Sequence, residues 1–387
     1  MHSKRIQDRK IVFVNQAVNY LSIGIVNEFA QKFEHVALVT GSVHVQGESL
    51  DKDVQINSII RFTEAKLWKK FLNWIIASFQ IFYLLLIKYR KHEVFFIPNP
   101  PIAYLMMLVL PHRFSILKWD VYPDVLKIFG IRETNLIYRF WAYLNRRIFR
   151  KAFGVYTIGQ KITELIAQYV EEEKITKTPL WTTFTDFTPI PKEENKFIRE
   201  HKLWNKFIVQ YSGNIGVTHN VELLIDVAEA LVNEHHIHFQ IIGRGNRYKE
   251  IKARIDSSKL ENCQLLPFQS DDLFPHSLSA ANLGVVVLDD KTSKGSVPSK
   301  TYNLMTAAKP IIYIASKESE LYDYAERYKN GKCFHSSEIS KIAEFITQVA
   351  ADQRQYEQLS DNSLLASKDF TRANAMKLVD HYASIKH

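Results

Sequence analysis

The sequence predicts an α/β protein built from two doubly wound domains, and three observations predict it. Short apolar runs alternate with longer helical patterns through residues 11–171, the signature of a parallel sheet covered on both faces. The same alternation restarts near residue 207, after a break rich in Pro and Thr. The length, 387 residues, suits two domains of roughly 100–200 residues each.

In the first half, strands are expected at 11–15, 35–40, 55–60, 93–97, 114–118 and 153–158, where β-branched and aromatic residues cluster. Helical periodicity fills 22–33, 66–91, 134–151 and 160–171. Pro179, Pro189 and Pro191 interrupt the pattern over 175–196, so a linker is placed at 181–204, between a first domain at 1–180 and a second at 205–370. The second half then reads as a strand at 207–211 running into Ser212-Gly213-Asn214-Ile215-Gly216, and a helix at 219–233. A strand at 238–242 follows, running into Gly243-Arg244-Gly245. Helices at 246–258, 273–280 and 298–308 alternate with strands at 263–266, 283–288 and 310–315. In such sheets a ligand sits in the crevice at the carboxyl ends of the strands.

Composition narrows the class. A hydrophobic share of 46% with 24% charged residues excludes a disordered or collagen-like chain. Two cysteines, Cys263 and Cys333, make no disulfide framework, which points to a reducing cytosol. Met1–Lys10 leads straight into the strand run Ile11–Val14, without the apolar stretch of a secretory signal, so a cytoplasmic location is expected. The formal charge of +9 is uneven. Residues 1–180 carry 25 basic and 15 acidic side chains and residues 181–387 carry 25 and 26; within the first half, residues 52–151 hold 17 and 6.

That basic stretch is also apolar. Phe71–Ile87 is interrupted by Asn73, Ser78 and Gln80 and flanked by Lys69, Lys70, Lys88, Arg90 and Lys91. It falls short of the ~20 residues a spanning helix needs, so a buried or interface-lying helix is expected. The helix at 134–151 carries Arg139, Arg146, Arg147, Arg150 and Lys151 among aromatic and aliphatic residues, the pattern of a helix lying on anionic lipid. An anionic membrane surface is therefore the expected partner and peripheral attachment the expected location. Nucleic acid is not expected, because no binding motif accompanies the charge.

Three segments bear on chemistry. Gly243-Arg244-Gly245 and Ser212–Gly216 each follow a strand, where glycines let backbone amides approach an anion or simply allow a tight turn. Neither is a Walker loop, and neither completes the dinucleotide pattern of a nicotinamide-dependent oxidoreductase. Gly295–Asn303 places a Gly-Ser loop before Pro298, whose fixed φ suits a first helical turn, and Lys300. Helix-start amides with the Lys300 cation would form a phosphate site; an ordinary Ser-capped helix with a solvated Lys is the other reading. No His/Cys cluster has metal-ligand spacing, and Asp289-Asp290 is not a DxD motif, so no metal or other cofactor is expected.

The order Tyr-Ser-Gly-Asn-Ile-Gly with His219, Ile-Ile-Gly-Arg-Gly, Leu-Leu-Pro-Phe, Val-Pro-Ser-Lys and Met-Thr-Ala-Ala-Lys-Pro resembles the donor-binding domain of GT-B glycosyltransferases, most of all family 4 in its bacterial surface-polysaccharide branch. The resemblance covers about residues 205–335 and is weaker over 1–200. It implies two Rossmann-like doubly wound domains facing across a cleft, with a C-terminal helix at 371–387 packing back on the first, acceptor-side domain. It implies that Asn214, Gly216, Arg244 and Lys300 line a nucleotide-sugar diphosphate, that His219 belongs to the same donor site, and that Phe268 holds the base. Ser296, Val297, Pro298 and Ser299 would cradle sugar and phosphate, with Asn303 at the ribose. Gly24 falls where relatives have a glycine-rich loop, and Asp120, in Lys118-Trp119-Asp120-Val121-Tyr122-Pro123-Asp124, is the catalytic candidate. The chain departs from the family pattern in having Gly295 and Asn303 where a Glu pair is common, and Trp119 where a His is common. The implied activity is metal-free, retaining transfer of a sugar from a nucleotide-sugar donor to a lipid-linked or other glycan acceptor. A non-catalytic subunit that binds a partner enzyme is the alternative.

Overall fold

The computed structural model describes residues 5–385 apart from 46–47, 64–66, 98, 183–186, 217–218 and 290–292. Two compact units emerge, one of residues 1–183 with 372–387, the other of residues 184–371.

The first unit is built on β1 (Ile6–Val14), β3 (Phe33–Thr40), β5 (Gln55–Ser58), β6 (Glu93–Phe96), β7 (Phe114–Lys118), β8 (Gly154–Thr157) and β9 (Ile175–Lys177). They form one parallel sheet in the order β5-β3-β1-β6-β7-β8-β9, and a small parallel ribbon pairs β2 (Ala17–Val18) with β4 (Ser42–Val43). Burial on both faces explains the continuous apolar run of Ile11–Val14, all fully buried. Helices α1 (Tyr20–Lys32), α2 (Leu67–Ile87), α3 (Leu136–Lys151) and α4 (Gln160–Ala167) make the crossovers. Asn19 caps α1 by accepting from the Ser22 amide at 3.1 Å, as a short polar residue at a helix start does.

The C-terminal helix Ala373–Ser384 belongs to this unit and packs on α1. Tyr382 stacks edge-on against Phe29 at 5.0 Å and lies beside Phe33 and Phe95. Its hydroxyl donates to Glu93, which also takes two hydrogen bonds from Arg9, at 2.7 and 3.0 Å. Arg9 in turn lies 4.7 Å from the Tyr382 ring centroid. A buried carboxylate is tolerated here because a guanidinium and a phenol satisfy it together.

The second unit has β10 (Phe207–Asn214), β11 (Ile237–Arg244), β12 (Cys263–Pro267), β13 (Leu283–Val287), β14 (Ile311–Ile314) and β15 (Gly331–Phe334), ordered β12-β11-β10-β13-β14-β15. Helices α5 (Lys196–Glu200), α6 (Leu223–Ala230), α7 (Tyr248–Ser258), α8 (Phe274–Ala280), α9 (Lys300–Thr306), α10 (Glu320–Tyr328), α11 (Ile339–Ala351) and α12 (Gln353–Ser367) surround it, and the C-terminal helix is α13.

Several expectations need correction. Residues 195–203 are not part of a linker. Phe197, Ile198 and Leu203 are buried in a core with Ile208, Ile242, Leu266 and Ala280, and the Asn195 side chain caps α5. The prolines that signal a linker stand before this helix, whose five residues are too few for a periodic pattern. Residues 183–186 of the predicted linker, and Asp290 of the acidic pair, lie outside the described residues. Strands β9 and β15 were not expected; each is an edge strand of three or four residues with little apolar content.

Candidate active site

In each sheet the strand order turns back on itself once, and doubly wound sheets bind ligands at that place. In the second unit β10 is the hinge of the order, with β11 on one side and β13 on the other. In the first unit it is β1, flanked by β3 and β6.

At the carboxyl end of β10 the register pairs Gly213 with Gly243 and Asn214 with Arg244. Gly243 tolerates no side chain, because a Cβ there would lie 1.9 Å from the Gly213 carbonyl oxygen. Gly213 has φ of +153°, and a Cβ on it would lie 2.6 Å from the Lys300 Nζ. The positive φ is what favours glycine here, since the Lys300 end could move aside. Lys300 opens α9, with its Nζ 3.8 Å from the Tyr211 ring centroid. The ammonium is buried and has no hydrogen-bond partner among the described residues. Burial lowers its pKa from the ordinary 10.5 to about 7. The structure therefore decides against a solvated Lys.

The other predicted residues distribute as follows. Arg244 and Phe268 stand at the ends of adjacent strands, the guanidinium 5.0 Å from the ring centroid, both open to solvent. Asn214 is exposed and Gly216 buried; a Cβ on Gly216 would come within 2.9 Å of the Asn214 amide nitrogen. His219 precedes α6, its backbone amide bonded to the Gly216 carbonyl at 3.2 Å. Burial and the Lys300 charge lower its pKa to about 4, so it is neutral near pH 7. Ser296, Val297, Pro298 and Ser299 form the approach to α9, and Asn303 lies one turn further along. The helix begins at Lys300, so Pro298 is outside the first turn where it was expected. Ser299 makes no side-chain cap; instead the Pro298 and Ser299 carbonyls accept from the Thr301 and Tyr302 amides, both at 3.1 Å.

Gly24 is not in a glycine-rich loop. It lies inside α1, buried, and a Cβ would sit 3.0 Å from the Trp181 ring. Its small size serves close packing of a helix on an indole rather than a phosphate-binding loop.

Asp120 lines a pocket of about 250 Å³ in the first unit, with Asn15, Phe62, Lys70, Trp74, Asn99, Trp119 and Tyr122 among its walls. Asn15 follows β1 and Asn99 follows β6, so the pocket opens at the switch in strand order. Among the described residues the Asp120 carboxyl forms no hydrogen bond or ion pair, so it caps no local turn. Although it meets solvent, the enclosing walls raise its pKa above the ordinary 3.8, with Lys118 and Lys70 pulling the other way. Lys118 ends β7 as a buried cation, 4.2 Å from the Tyr104 ring centroid. Burial lowers its pKa to about 7.

The loop bearing Asp120 is fixed by α3. Asn145 donates to the Tyr122 carbonyl at 2.6 Å and accepts from Tyr104 at 2.8 Å. Asp124 is structural, taking the Tyr138 and Tyr169 hydroxyls, each at 2.8 Å, and the Lys127 ammonium at 2.9 Å. Sequence reasoning missed Lys118, Lys70 and Trp74 as site residues. For Lys118 a signal existed, a lone cation closing an otherwise buried strand.

Two phosphate-compatible features at β10, the unpartnered Lys300 and the glycine pair, lie in the segment 192–364 that matches the family model described as Glycosyl transferases group 1. Most of the second unit is thus similar to a group 1 glycosyltransferase domain. The chain is 25% identical over 222 residues to the probable glycosyltransferase WbjE of Pseudomonas aeruginosa, covering 56% of this chain and 54% of that one. It is 27% identical over 178 residues to the putative colanic acid biosynthesis glycosyl transferase WcaI of Escherichia coli K12, covering 45% and 44%. The chain spans about half the length of the curated relatives it matches. Among solved structures, Anabaena HepE in complex with UDP and glucose is similar at a TM-score of 0.73 and 15% identity, over 97% of this chain and 99% of that one. At that identity the likeness concerns fold, and the fold is GT-B, with its two parallel sheets of seven and six strands.

Proposed function

We propose that the group 1 domain holds a nucleotide-sugar donor and that the chain transfers its sugar, with retention and without a metal, to a lipid-linked or membrane-held glycan acceptor. The route is cell-surface polysaccharide synthesis. The observation that carries this is the buried Lys300 ammonium beside Gly213, which has no counter-ion among the described residues. A buried unpaired charge is costly, and a diphosphate repays that cost by pairing with it. The UDP and glucose in the HepE complex and the polysaccharide named for WcaI support the substrate classes.

In the proposed reaction the bond from the anomeric carbon to the diphosphate oxygen breaks first, and the acceptor hydroxyl oxygen bonds to that carbon on the same face, which keeps the configuration. The leaving diphosphate keeps the electron pair, stabilised by Lys300 and Arg244. Asp120 orients the hydroxyl and takes its proton; a raised pKa makes it the stronger base. Isothermal titration with uridine and guanosine diphosphates tests the donor site. One of them is expected to bind; binding of neither overturns the reading.

The membrane part of the proposal rests on two helices. Trp68–Ile87 is long and apolar enough to cross a membrane, with a mean hydropathy of 1.6. Yet α2 buries one stripe, Asn73, Ala77, Ile81 and Leu85, while Asn73 accepts from Gln16 at 2.8 Å and donates to the Arg61 carbonyl at 2.9 Å. Its other face exposes Trp68, Phe71, Phe79 and Tyr83, and α3 exposes Leu136, Ile137 and Phe140 beside its arginines. Such faces suit peripheral attachment to anionic lipid. Flotation with phosphatidylglycerol vesicles is expected to recover the protein at low salt and to lose most of it at 1 M salt. Salt-independent recovery would point to insertion of α2 instead.

A further inference from the structure

A buried ammonium with no counter-ion needs another source of stabilisation, and at Lys300 an aromatic ring supplies it. The Lys300 Nζ lies over the Tyr211 ring, 3.8 Å from its centroid. Tyr211 is fully buried in the core of the second unit, so the ring has a fixed place.

The far end of the same side chain reaches the turn after β10. The Tyr211 hydroxyl donates to the Asn214 carbonyl at 2.6 Å, and burial raises its pKa, so the phenol keeps its proton. With the Asn214 carbonyl turned to this hydroxyl, the amide of the same peptide, on Ile215, donates to the Arg244 carbonyl at 2.8 Å. The Ile215 carbonyl takes the Arg247 amide at 3.2 Å, and Gly245 closes on it, where a Cβ would lie 2.2 Å from that carbonyl oxygen. One hydroxyl thus helps to lock segment 212–216 against segment 243–245. Core packing alone explains neither contact. A leucine fills such a space without an electron-rich face, and a phenylalanine fills it without a donor.

We propose that Tyr211 is a positioning residue of the phosphate site, its ring holding the Lys300 ammonium ready for the leaving diphosphate and its hydroxyl fixing the turn that carries Asn214 and Gly216. The inference rests on the proposed function and adds to its donor site a residue that touches no substrate. Among the described residues, the titratable groups facing Lys300 are the Tyr211 phenol on β10 and the His219 imidazole before α6, both neutral near pH 7. The charge of Lys300 is therefore governed by burial and by the ring, with its midpoint at about 7.

Two replacements separate the halves of the side chain. Tyr211→Phe removes the hydroxyl and keeps the ring. Trifluorophenylalanine, substituted at the outer ring carbons and placed at the same position, keeps the shape of Phe and drains electron density from its face, which weakens a cation–π contact. Uridine and guanosine diphosphates are titrated into each full chain from about pH 6 to about 9, across the Lys300 midpoint. Without ligand, the Lys300 midpoint is followed by NMR of a labelled Cε, assigned with Lys300→Met.

Tyr211→Phe is expected to weaken nucleotide binding by about threefold to tenfold at every pH and to keep the Lys300 midpoint. The fluorinated ring favours the ammonium less. The midpoint should fall by about half a unit or more relative to Tyr211→Phe, and the pH above which nucleotide binding fades should move down with it. Equal midpoints in the two variants overturn the role of the ring, and nucleotide affinity unchanged by Tyr211→Phe overturns that of the hydroxyl. A merely structural Tyr211 would change the melting temperature and neither of these. The ligand-free titration keeps the two readings apart. A ring-dependent midpoint in a protein that binds neither nucleotide removes the donor site and leaves Lys300 held by Tyr211. Nucleotide binding with a midpoint indifferent to the ring removes the Tyr211 inference alone.

Discussion

Lys300→Met is expected to abolish nucleoside diphosphate binding and, in the same protein, to raise the melting temperature without ligand. The side chains are similar in length, so the change removes a charge and keeps most of the packing against Tyr211. Holding the ammonium out of water lowers its pKa from 10.5 to about 7, a penalty on the order of 4 kcal/mol for the charged fold. Between those two values the unfolded chain keeps a proton that the folded chain gives up. Raising the pH from 7 to 10.5 therefore removes the penalty, and the stability advantage of Lys300→Met should shrink across that window. Ligand affinity moves the other way. A diphosphate favours the charged Lys300, so binding takes up a proton and weakens as the pH rises above about 7. Loss of a charge-assisted contact to the leaving group should lower turnover on the order of 100-fold or more. Calorimetric melting and nucleotide titration at several pH values check all three. A variant that melts lower and still binds nucleotide would remove Lys300 from the donor site.

The contrast between Lys300 and Gly24 shows what was legible in the sequence. Both were placed by likeness to a family pattern. For Lys300 the local sequence left a phosphate site and an ordinary helix start both open, and the fold brings the Lys side chain to Gly213. At Gly24 the local sequence pointed elsewhere. Tyr20–Lys32 is a continuous helical stretch capped by Asn19, and the demand for a small residue comes from Trp181, over 150 positions away. Periodicity reports which face of an element is buried, not which distant side chain crowds it. The same limit hid the Lys70 and Trp74 walls of the acceptor pocket. In the sequence Lys70 is a flanking charge and Trp74 part of an apolar run, and the buried stripe Asn73, Ala77, Ile81 and Leu85 shows which face turns inward. The sheets were legible because buried parallel strands must be apolar throughout; β9 and β15, at the edges, escape that rule.

Asp120→Asn is expected to lower sugar transfer by about 10²–10⁴-fold, the range for losing a positioned general base, while nucleotide titration stays as in the unaltered protein. The prediction turns on the pH profile as much as on the rate. Surrounding protein raises the Asp120 pKa above its ordinary 3.8, so the acid limb of kcat/KM should lie above that of a solvated aspartate. The Lys118 charge opposes the shift. Lys118→Met removes that cation. The Asp120 carboxylate is then less stabilised, its pKa rises further, and the acid limb moves to higher pH with the plateau rate largely kept. A packing role for Lys118 over Tyr104 alone would change stability and leave the limb in place. If Asp120→Asn keeps both the rate and the acid limb, the proton goes elsewhere, and the leaving diphosphate on the Lys300 side becomes the group to test as its acceptor.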